Sequence, residues 1–209
     1  MIVIINPNST VAMTQTLLDT ARQMRPDARI EGWTSHDGPP AIQGPEDGAA
    51  CIPPLLRLVD KAAARGARAI IIGCFDDTGL AQARARVACP VLGIGEAAYA
   101  QAARLGRFSV VTTLPVSIPV LAANVAALGL SDRCARIRAS GVPVLDLETD
   151  PGTAIPRVLA EVRAAVAEDD IGAIVLGCAG MVHVAEAAPD VSVPLIDGLR
   201  AALERTKHL

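Results

Sequence analysis

The sequence predicts an α/β protein built from two lobes, each with a four-stranded parallel sheet flanked by helices. Short, continuously apolar segments alternate with alanine-rich segments of helical character along the 209 residues. Such alternation is typical of parallel sheets whose strands are joined by right-handed helical crossovers. In addition, residues 69–74 (AIIIGC) and 173–178 (AIVLGC) are nearly identical at an offset of about 104 positions. We therefore expect two copies of one unit, related by a pseudo-twofold axis, with a binding cleft between them.

The strands are predicted from their β-branched, apolar runs. In chain order they lie near residues 2–6, 28–33, 68–73, 90–93, 107–112, 135–139, 172–177 and 193–196. Residues 1–98 plus 198–209 are predicted to form the first lobe, and residues 99–197 the second.

Helices fill the intervals between the strands. The first follows Ser9 or Thr10, either of which can cap it, and ends before Pro26. A second begins at residue 45, with a proline followed by two acids, and ends at residue 66. In the second half, a helix runs from residue 151 to about residue 169. Residues 35–44, rich in glycine and proline, are predicted to be an irregular loop.

Composition narrows the range of functions. The net charge is −3 and only 2% of the residues are aromatic, which argues against nucleic acid as a partner. The apolar start of the chain is too short for a signal peptide, and no run reaches the ~20 apolar residues that span a bilayer. We expect a soluble, cytoplasmic protein that binds a small molecule and neither a membrane nor nucleic acid.

The five cysteines form no Cys-x-x-Cys pair, and the three histidines stand apart from one another and from the cysteines. Disulfides and a zinc site are therefore not expected. Nothing in the sequence indicates a need for pyridoxal phosphate, and we expect neither a metal nor a cofactor.

Polar residues and cysteines follow four of the predicted strands. Because ligands bind outside the carboxyl ends of strands in open α/β sheets, these positions are the candidate site. The candidate residues are Asn8, Ser9 and Thr10 after the first strand, Cys74, Phe75 and Asp76 after the third, Thr112 and Thr113 after the fifth, and Cys178, Ala179 and Gly180 after the seventh.

Cys74 and Cys178 end the two copies of the repeat, which suggests a pair of acid/base groups facing one ligand. The pKa of a thiol, ordinarily about 8.5, can fall at a helix N-terminus, so one cysteine could serve as thiolate base and the other as thiol acid. Hydroxyl groups and the N–H groups around Gly180 could hold an enolate oxygen. Cys51, Cys89 and Cys134 are interpreted as small buried hydrophobes. Asp76 and the residue after it either cap the following helix or tune Cys74.

These motifs resemble those of the aspartate/glutamate racemase superfamily, and specifically its hydantoin racemase branch. The matching stretches are residues 4–10 (IINPNST), 74–80 (CFDDTGL), 93–98 (GIGEAA), 108–113 (FSVVTT) and 176–181 (LGCAGM). The resemblance implies a cofactor-independent racemase with its site between two lobes and with Cys74 and Cys178 as the acid/base pair. It also implies a homo-oligomer.

The residues after each cysteine depart from the glutamate racemase pattern. Glutamate racemases usually have Asn-Thr after the first cysteine and Thr-His after the second, whereas this chain has Phe-Asp and Ala-Gly. The resemblance therefore predicts racemisation of 5-substituted hydantoins by proton transfer at C5. Allantoin is itself a 5-substituted hydantoin, so an allantoin racemase is a close alternative.

Other functions remain open at this point. A maleate-type cis–trans isomerase or an amino-acid racemase could use the same cysteines. From a different class, residues 93–98 match Gly-x-Gly-x-x-Ala, a dinucleotide-binding pattern. That match lies at the fourth strand rather than the first, and no acidic residue follows at the distance needed to bind a ribose.

Overall fold

Two four-stranded parallel sheets form the framework of the computed structural model, which describes residues 1–209 except for the side chain of residue 208. The first sheet contains Ile2–Asn6 (β1), Ile30–Thr34 (β2), Ala69–Ile72 (β3) and Val91–Gly93 (β4). The second contains Phe108–Thr112 (β5), Cys134–Ala139 (β6), Ala173–Leu176 (β7) and Leu195–Asp197 (β8). The strand orders are β2-β1-β3-β4 and β6-β5-β7-β8, with every pair parallel. The predicted fold class is confirmed.

Helices connect the strands and cover the sheets. They are Val11–Met24 (α1), Pro45–Ala64 (α2), Leu80–Arg86 (α3), Ile94–Ala103 (α4), Ile118–Ala127 (α5), Asp146–Thr149 (α6), Pro151–Glu168 (α7) and Gly198–Arg205 (α8). The three helices predicted individually correspond to α1, α2 and α7. The capping of α1 was predicted incorrectly. Thr10 occupies the N-cap position without capping, because its hydroxyl instead donates a hydrogen bond to the Pro40 carbonyl at 2.7 Å.

The central strands of the two sheets are buried on both faces. Alternate residues along such a strand belong to different hydrophobic cores. In β1, Ile2 and Ile4 belong to a central core, whereas Val3 and Ile5 belong to an outer one. The central core also contains residues of β5, β7, α4 and α8, so both sheets share it. Burial on both faces explains why these strands are continuously apolar rather than alternating.

The pseudo-twofold relation extends to the backbone next to each candidate cysteine. The N–H of Gly73 donates to the Ile5 carbonyl at 2.8 Å, and the N–H of Gly177 donates to the Val111 carbonyl at 2.8 Å. Each central strand therefore carries its cysteine to an equivalent position at its carboxyl end. The lobe boundaries at residues 98–99 and 197–198 stay a prediction. Helix α8 packs against α1 and α4.

Among the described residues, no helix has both the length and the apolar composition needed to cross a bilayer.

Candidate active site

One cavity receives residues from the loops that follow β1, β3, β5 and β7. Strands of parallel sheets bring their carboxyl ends to one edge, which explains why loops distant in sequence meet there. The predicted site residues that line it are Asn8, Cys74, Phe75, Asp76, Thr112, Thr113, Cys178 and Ala179.

Three predicted residues do not line the cavity. Ser9 and Thr10 turn to the loop that contains residues 39 and 40, to which they are hydrogen-bonded. Gly180 lies against Leu147, and a Cβ at this glycine would be only 3.0 Å from the Leu147 Cδ1. The backbone N–H of Gly180 nevertheless acts on the site, because it lowers the pKa of the Cys178 thiol against the larger opposite effect of burial.

Sequence reasoning missed several lining residues, among them Met13, Ile42, Ser117 and Val144. Ser117 ends a 3-10 turn that follows β5, so its place after a strand end was a usable signal. Ile42 and Val144 lie in irregular loops from different parts of the chain. The side-chain oxygen of Gln43 accepts the N–H of Val144 at 3.0 Å and joins these loops. Nothing in the local sequence marks this pairing.

Two of the predicted polar residues use their side chains within the protein. The Asn8 side-chain oxygen accepts hydrogen bonds from the Asn6 amide at 2.8 Å and from the Thr10 N–H at 3.0 Å. The Thr112 hydroxyl donates to the Gly177 carbonyl at 2.9 Å. Both side chains therefore shape the loops around the cavity.

Three other side chains are available to a ligand. Asp76, Thr113 and Ser117 line the cavity and are 9%, 2% and 4% exposed. The hydrogen bonds near them use the backbone carbonyls of Asp76 and Thr113, and none involves these three side chains. Polar groups that line a cavity and have no partner in the protein can bind a ligand, so these three are the natural contacts for a bound molecule.

Burial dominates the electrostatics of the two cysteines. It raises the pKa of Cys74 well above its ordinary value, and the Asp76 carboxyl raises it further. Burial likewise raises the pKa of Cys178 to about 12. The expected lowering by a helix N-terminus is not found. Cys178 precedes a 3-10 helix of only three residues, and α3 begins six residues after Cys74.

Asp76 is the acidic group of this cavity. Burial raises its pKa to about 6, so the ionised form predominates at neutral pH. The described residues that line the cavity include no lysine, arginine or histidine. The site therefore combines two neutral thiols with one carboxylate and carries no compensating positive side chain.

Asp77 has a different role from the two that the sequence suggested. The N-cap position of α3 is Gly79, and the Asp77 carboxylate instead accepts the N–H groups of Gly95 and Glu96 at the start of α4. The Gly-x-Gly segment thus offers these N–H groups to Asp77 rather than to a phosphate.

The remaining cysteines lie outside the cavity. Cys51 is fully buried, and its thiol donates to the Gly48 carbonyl at 3.2 Å. All five cysteines are free thiols.

Comparison with known proteins gives consistent matches. The profile of the Asp/Glu/Hydantoin racemase family matches residues 2–206. A hydantoin racemase from Rhizobium meliloti is 40% identical over 209 residues, which cover 99% of this chain and 87% of the relative. The structure of an allantoin racemase from Klebsiella pneumoniae superposes with a TM-score of 0.95 at 36% identity, covering 100% of this chain and 86% of that one. An allantoin racemase from Pseudomonas fluorescens gives a TM-score of 0.93 at 32% identity, with coverage of 100% and 89%.

Proposed function

The chain belongs to the Asp/Glu/hydantoin racemase family and is a racemase, and from this premise we propose that it racemises 5-substituted hydantoins by proton transfer at C5. Cys74 and Cys178 are the proposed acid/base pair. No cofactor takes part in this chemistry.

The charge of the cavity is the observation that carries the substrate class. A free amino acid or maleate would bring a carboxylate into a buried space beside Asp76, without a lysine, arginine or histidine among the described lining residues. A second carboxylate buried beside Asp76, with hydroxyl groups but no positive side chain to offset it, is unfavourable. A hydantoin ring is neutral, and it has N–H groups for the Asp76 carboxylate and carbonyl groups for hydroxyl donors. The names of the relatives agree with this class.

The reaction follows from the acidity of the hydantoin C5–H, which lies next to a ring carbonyl. The thiolate of one cysteine accepts the C5 proton, and the electrons of the C–H bond move onto the carbonyl oxygen to form an enolate. The thiol of the other cysteine then donates its proton to the opposite face of C5, which inverts the centre. The thiol and thiolate have now exchanged roles, and the reverse reaction starts from that state.

Hydroxyl groups support the enolate. Thr113 and Ser117 line the cavity, and no hydrogen bond of the described residues involves their hydroxyl groups. Donors aimed at a developing oxyanion in a site shielded from water lower the barrier substantially. We assign these two hydroxyls to the enolate oxygen, and the Asp76 carboxylate to a ring N–H.

The raised thiol pKa values make the thiolate a minority form at neutral pH. Catalysis by this pair therefore draws on a small thiolate fraction, and the nucleophilic thiolate is a strong base when it forms. A base with a high pKa suits a weakly acidic carbon proton.

The test is proton NMR in D₂O with enantiopure 5-benzylhydantoin, 5-isobutylhydantoin and allantoin, following loss of the C5–H signal and of optical rotation. Spontaneous exchange is subtracted with an enzyme-free sample. The variants are Cys74→Ser and Cys178→Ser, and the matched control is Cys51→Ser, a buried thiol outside the cavity.

Wild type and the control should accelerate the loss of both the C5–H signal and the optical rotation. In each cavity variant the rate of racemisation should fall by about 10²–10⁴-fold. Retention of racemisation by both cavity variants would refute the thiol pair. Turnover of free amino acids or maleate without turnover of any hydantoin would refute the substrate class. The allantoin sample shows whether a ureido substituent is accepted.

A further inference from the structure

The loop between β3 and α3, residues 73–79, is attached to the start of α4 by an unusual cap. The Asp77 carboxylate accepts the N–H of Gly95 at 3.0 Å and the N–H of Glu96 at 2.6 Å. A helix is usually capped by the residue directly before it, but here that residue is Gly93, which has no side chain. Burial raises the pKa of Asp77 to about 7, and its ionised fraction at neutral pH complements the positive end of the helix dipole. The cap of α4 therefore comes from the loop that carries Cys74.

The two glycines at the start of α4 make room for this loop. A Cβ at Gly95 would lie 2.3 Å from the Phe75 carbonyl oxygen, and a Cβ at Gly93 would lie 2.2 Å from the Asp77 Oδ1. A side chain at Gly95 would displace the loop backbone, and a side chain at Gly93 would displace the Asp77 carboxyl group. The Gly-x-Gly segment thus allows residues 75–77 to pack closely against the start of α4.

The backbone of Asp77 is in a conformation that side chains seldom adopt. Its φ is 52°, and it is the one non-glycine residue with positive φ among the residues described. Such a conformation costs on the order of 1 kcal/mol and persists where surrounding contacts enforce it. The two hydrogen bonds to α4 are contacts of this kind.

An aromatic contact holds the same loop at a second point. The Tyr99 ring of α4 meets the Phe75 ring edge to face, with centroids 5.3 Å apart and planes at 79°. On its other side Tyr99 stacks on Phe108 of β5, at 6.2 Å. The loop that carries Cys74 is therefore tied to α4 on both sides of Asp76.

The other lobe lacks the equivalent attachment. Helix α8 is capped by Asp197, the residue directly before it, whose Oδ1 accepts the Arg200 N–H at 2.7 Å. No side chain of residues 178–181 caps α8 in the described structure. The two lobes therefore differ: the loop that carries Cys74 supplies the cap of α4, whereas the loop that carries Cys178 does not supply the cap of α8.

From these observations we infer that Asp77 is a positioning residue for Cys74: by capping α4 from a distance, its carboxylate fixes the loop that presents the Cys74 thiol and the Asp76 carboxylate to the cavity. This role rests on the proposed function of the two thiols. It deepens that function because it makes the position of one thiol, that of Cys74, depend on the contact of its loop with α4. Loss of the carboxylate is expected to displace Cys74 and to leave Cys178 in place.

The test uses Asp77→Asn and Asp77→Gly, because asparagine and glycine both tolerate the positive φ at this position. The matched control is Asp197→Asn, the same change of acid to amide in the residue that caps α8. For each protein, the alkylation rates of Cys74 and Cys178 by iodoacetamide are measured separately by peptide mass spectrometry. The kcat and KM for both hydantoin enantiomers and the Tm are measured in parallel.

Both Asp77 variants should change the alkylation rate of Cys74 at least about threefold while that of Cys178 stays within error. Both should lower kcat by about tenfold or more with a smaller change in KM, as expected when the placement of a reacting group is lost. The control should lower Tm without changing the Cys74 rate or kcat.

Unchanged Cys74 alkylation and kcat in both Asp77 variants would overturn the inference. So would equal changes at both thiols, because these would indicate a general loosening of the fold. A failure of wild type to racemise hydantoins would refute the proposed function. The alkylation rates would still test the role of Asp77 in positioning Cys74, because alkylation needs no substrate.

Discussion

Replacement of Asp76 by asparagine is expected to stabilise the protein while impairing it as an enzyme. Burial raises the pKa of Asp76 from 3.8 to about 6, and its carboxyl has no hydrogen-bond partner among the described residues. The rise corresponds to about 3 kcal/mol of unfavourable free energy for the ionised group in the folded state. Asparagine has nearly the same shape and no charge to bury.

The sign of the pH dependence follows from proton linkage. Because the folded state holds the Asp76 proton more tightly than the unfolded state, the free energy of unfolding decreases as pH rises from about 4 to about 6. Of this decrease in the free energy of unfolding, about 2 kcal/mol occurs between about pH 4.5 and pH 7.5. The advantage of Asp76→Asn over wild type should therefore grow by this amount, or by about 4–8 °C in Tm.

Thermal unfolding of both proteins at the two pH values measures this effect, and other buried acids cancel because both proteins contain them. Asp132→Asn, which makes the same substitution in an exposed turn, is the control. Racemisation by Asp76→Asn should fall about 10–100-fold in kcat/KM, the effect of losing a hydrogen bond to a charged group. A variant that is less stable than wild type at pH 7.5, or whose advantage is the same at both pH values, would refute the reasoning.

Three further outcomes are expected. The blank-corrected kcat/KM should rise at least about tenfold between pH 6.5 and pH 8.5, because the pKa of both cavity thiols is raised and the thiolate fraction grows with pH; a flat profile would contradict this. Asp169→Asn should lower the free energy of unfolding at pH 7 by about 3 kcal/mol, since both Asp169 oxygens accept hydrogen bonds from buried Arg138 at 2.8 Å. Because the Arg138 guanidinium lowers the pKa of Asp169, denaturation curves should show this gap closing only in strong acid, as pH falls through the folded-state pKa. Gly73→Ala would place a Cβ 2.8 Å from the Leu17 Cδ1, and its Tm should report a loss of about 1–3 kcal/mol.

The sequence predicted the framework because the framework depends on local patterns. Apolar runs identify strands covered on both faces, and the run that ends at Cys74 recurs before Cys178. The positions of the strands therefore needed no information about contacts, and the loops expected at one edge do line one cavity.

The pattern was less informative about which polar groups face the cavity. Thr10 and Thr112 stand at strand ends like Thr113, yet the first two donate their hydroxyls to carbonyls of other segments. Ile42 and Val144 meet at the cavity only because separate loops pack together. Local sequence does not encode partners that lie on distant segments.

By itself, the sequence determined the two-lobed α/β architecture and the equivalent placement of two cysteines at the ends of β3 and β7. The tertiary structure decided the state of those thiols, since the pKa of a group depends on the solvent and charges removed from or brought to it by the whole fold. It also decided that Asp77 caps α4 rather than the next helix. Desolvation and hydrogen bonds between distant segments arise only when the chain is folded, and periodicity along the chain carries no record of them.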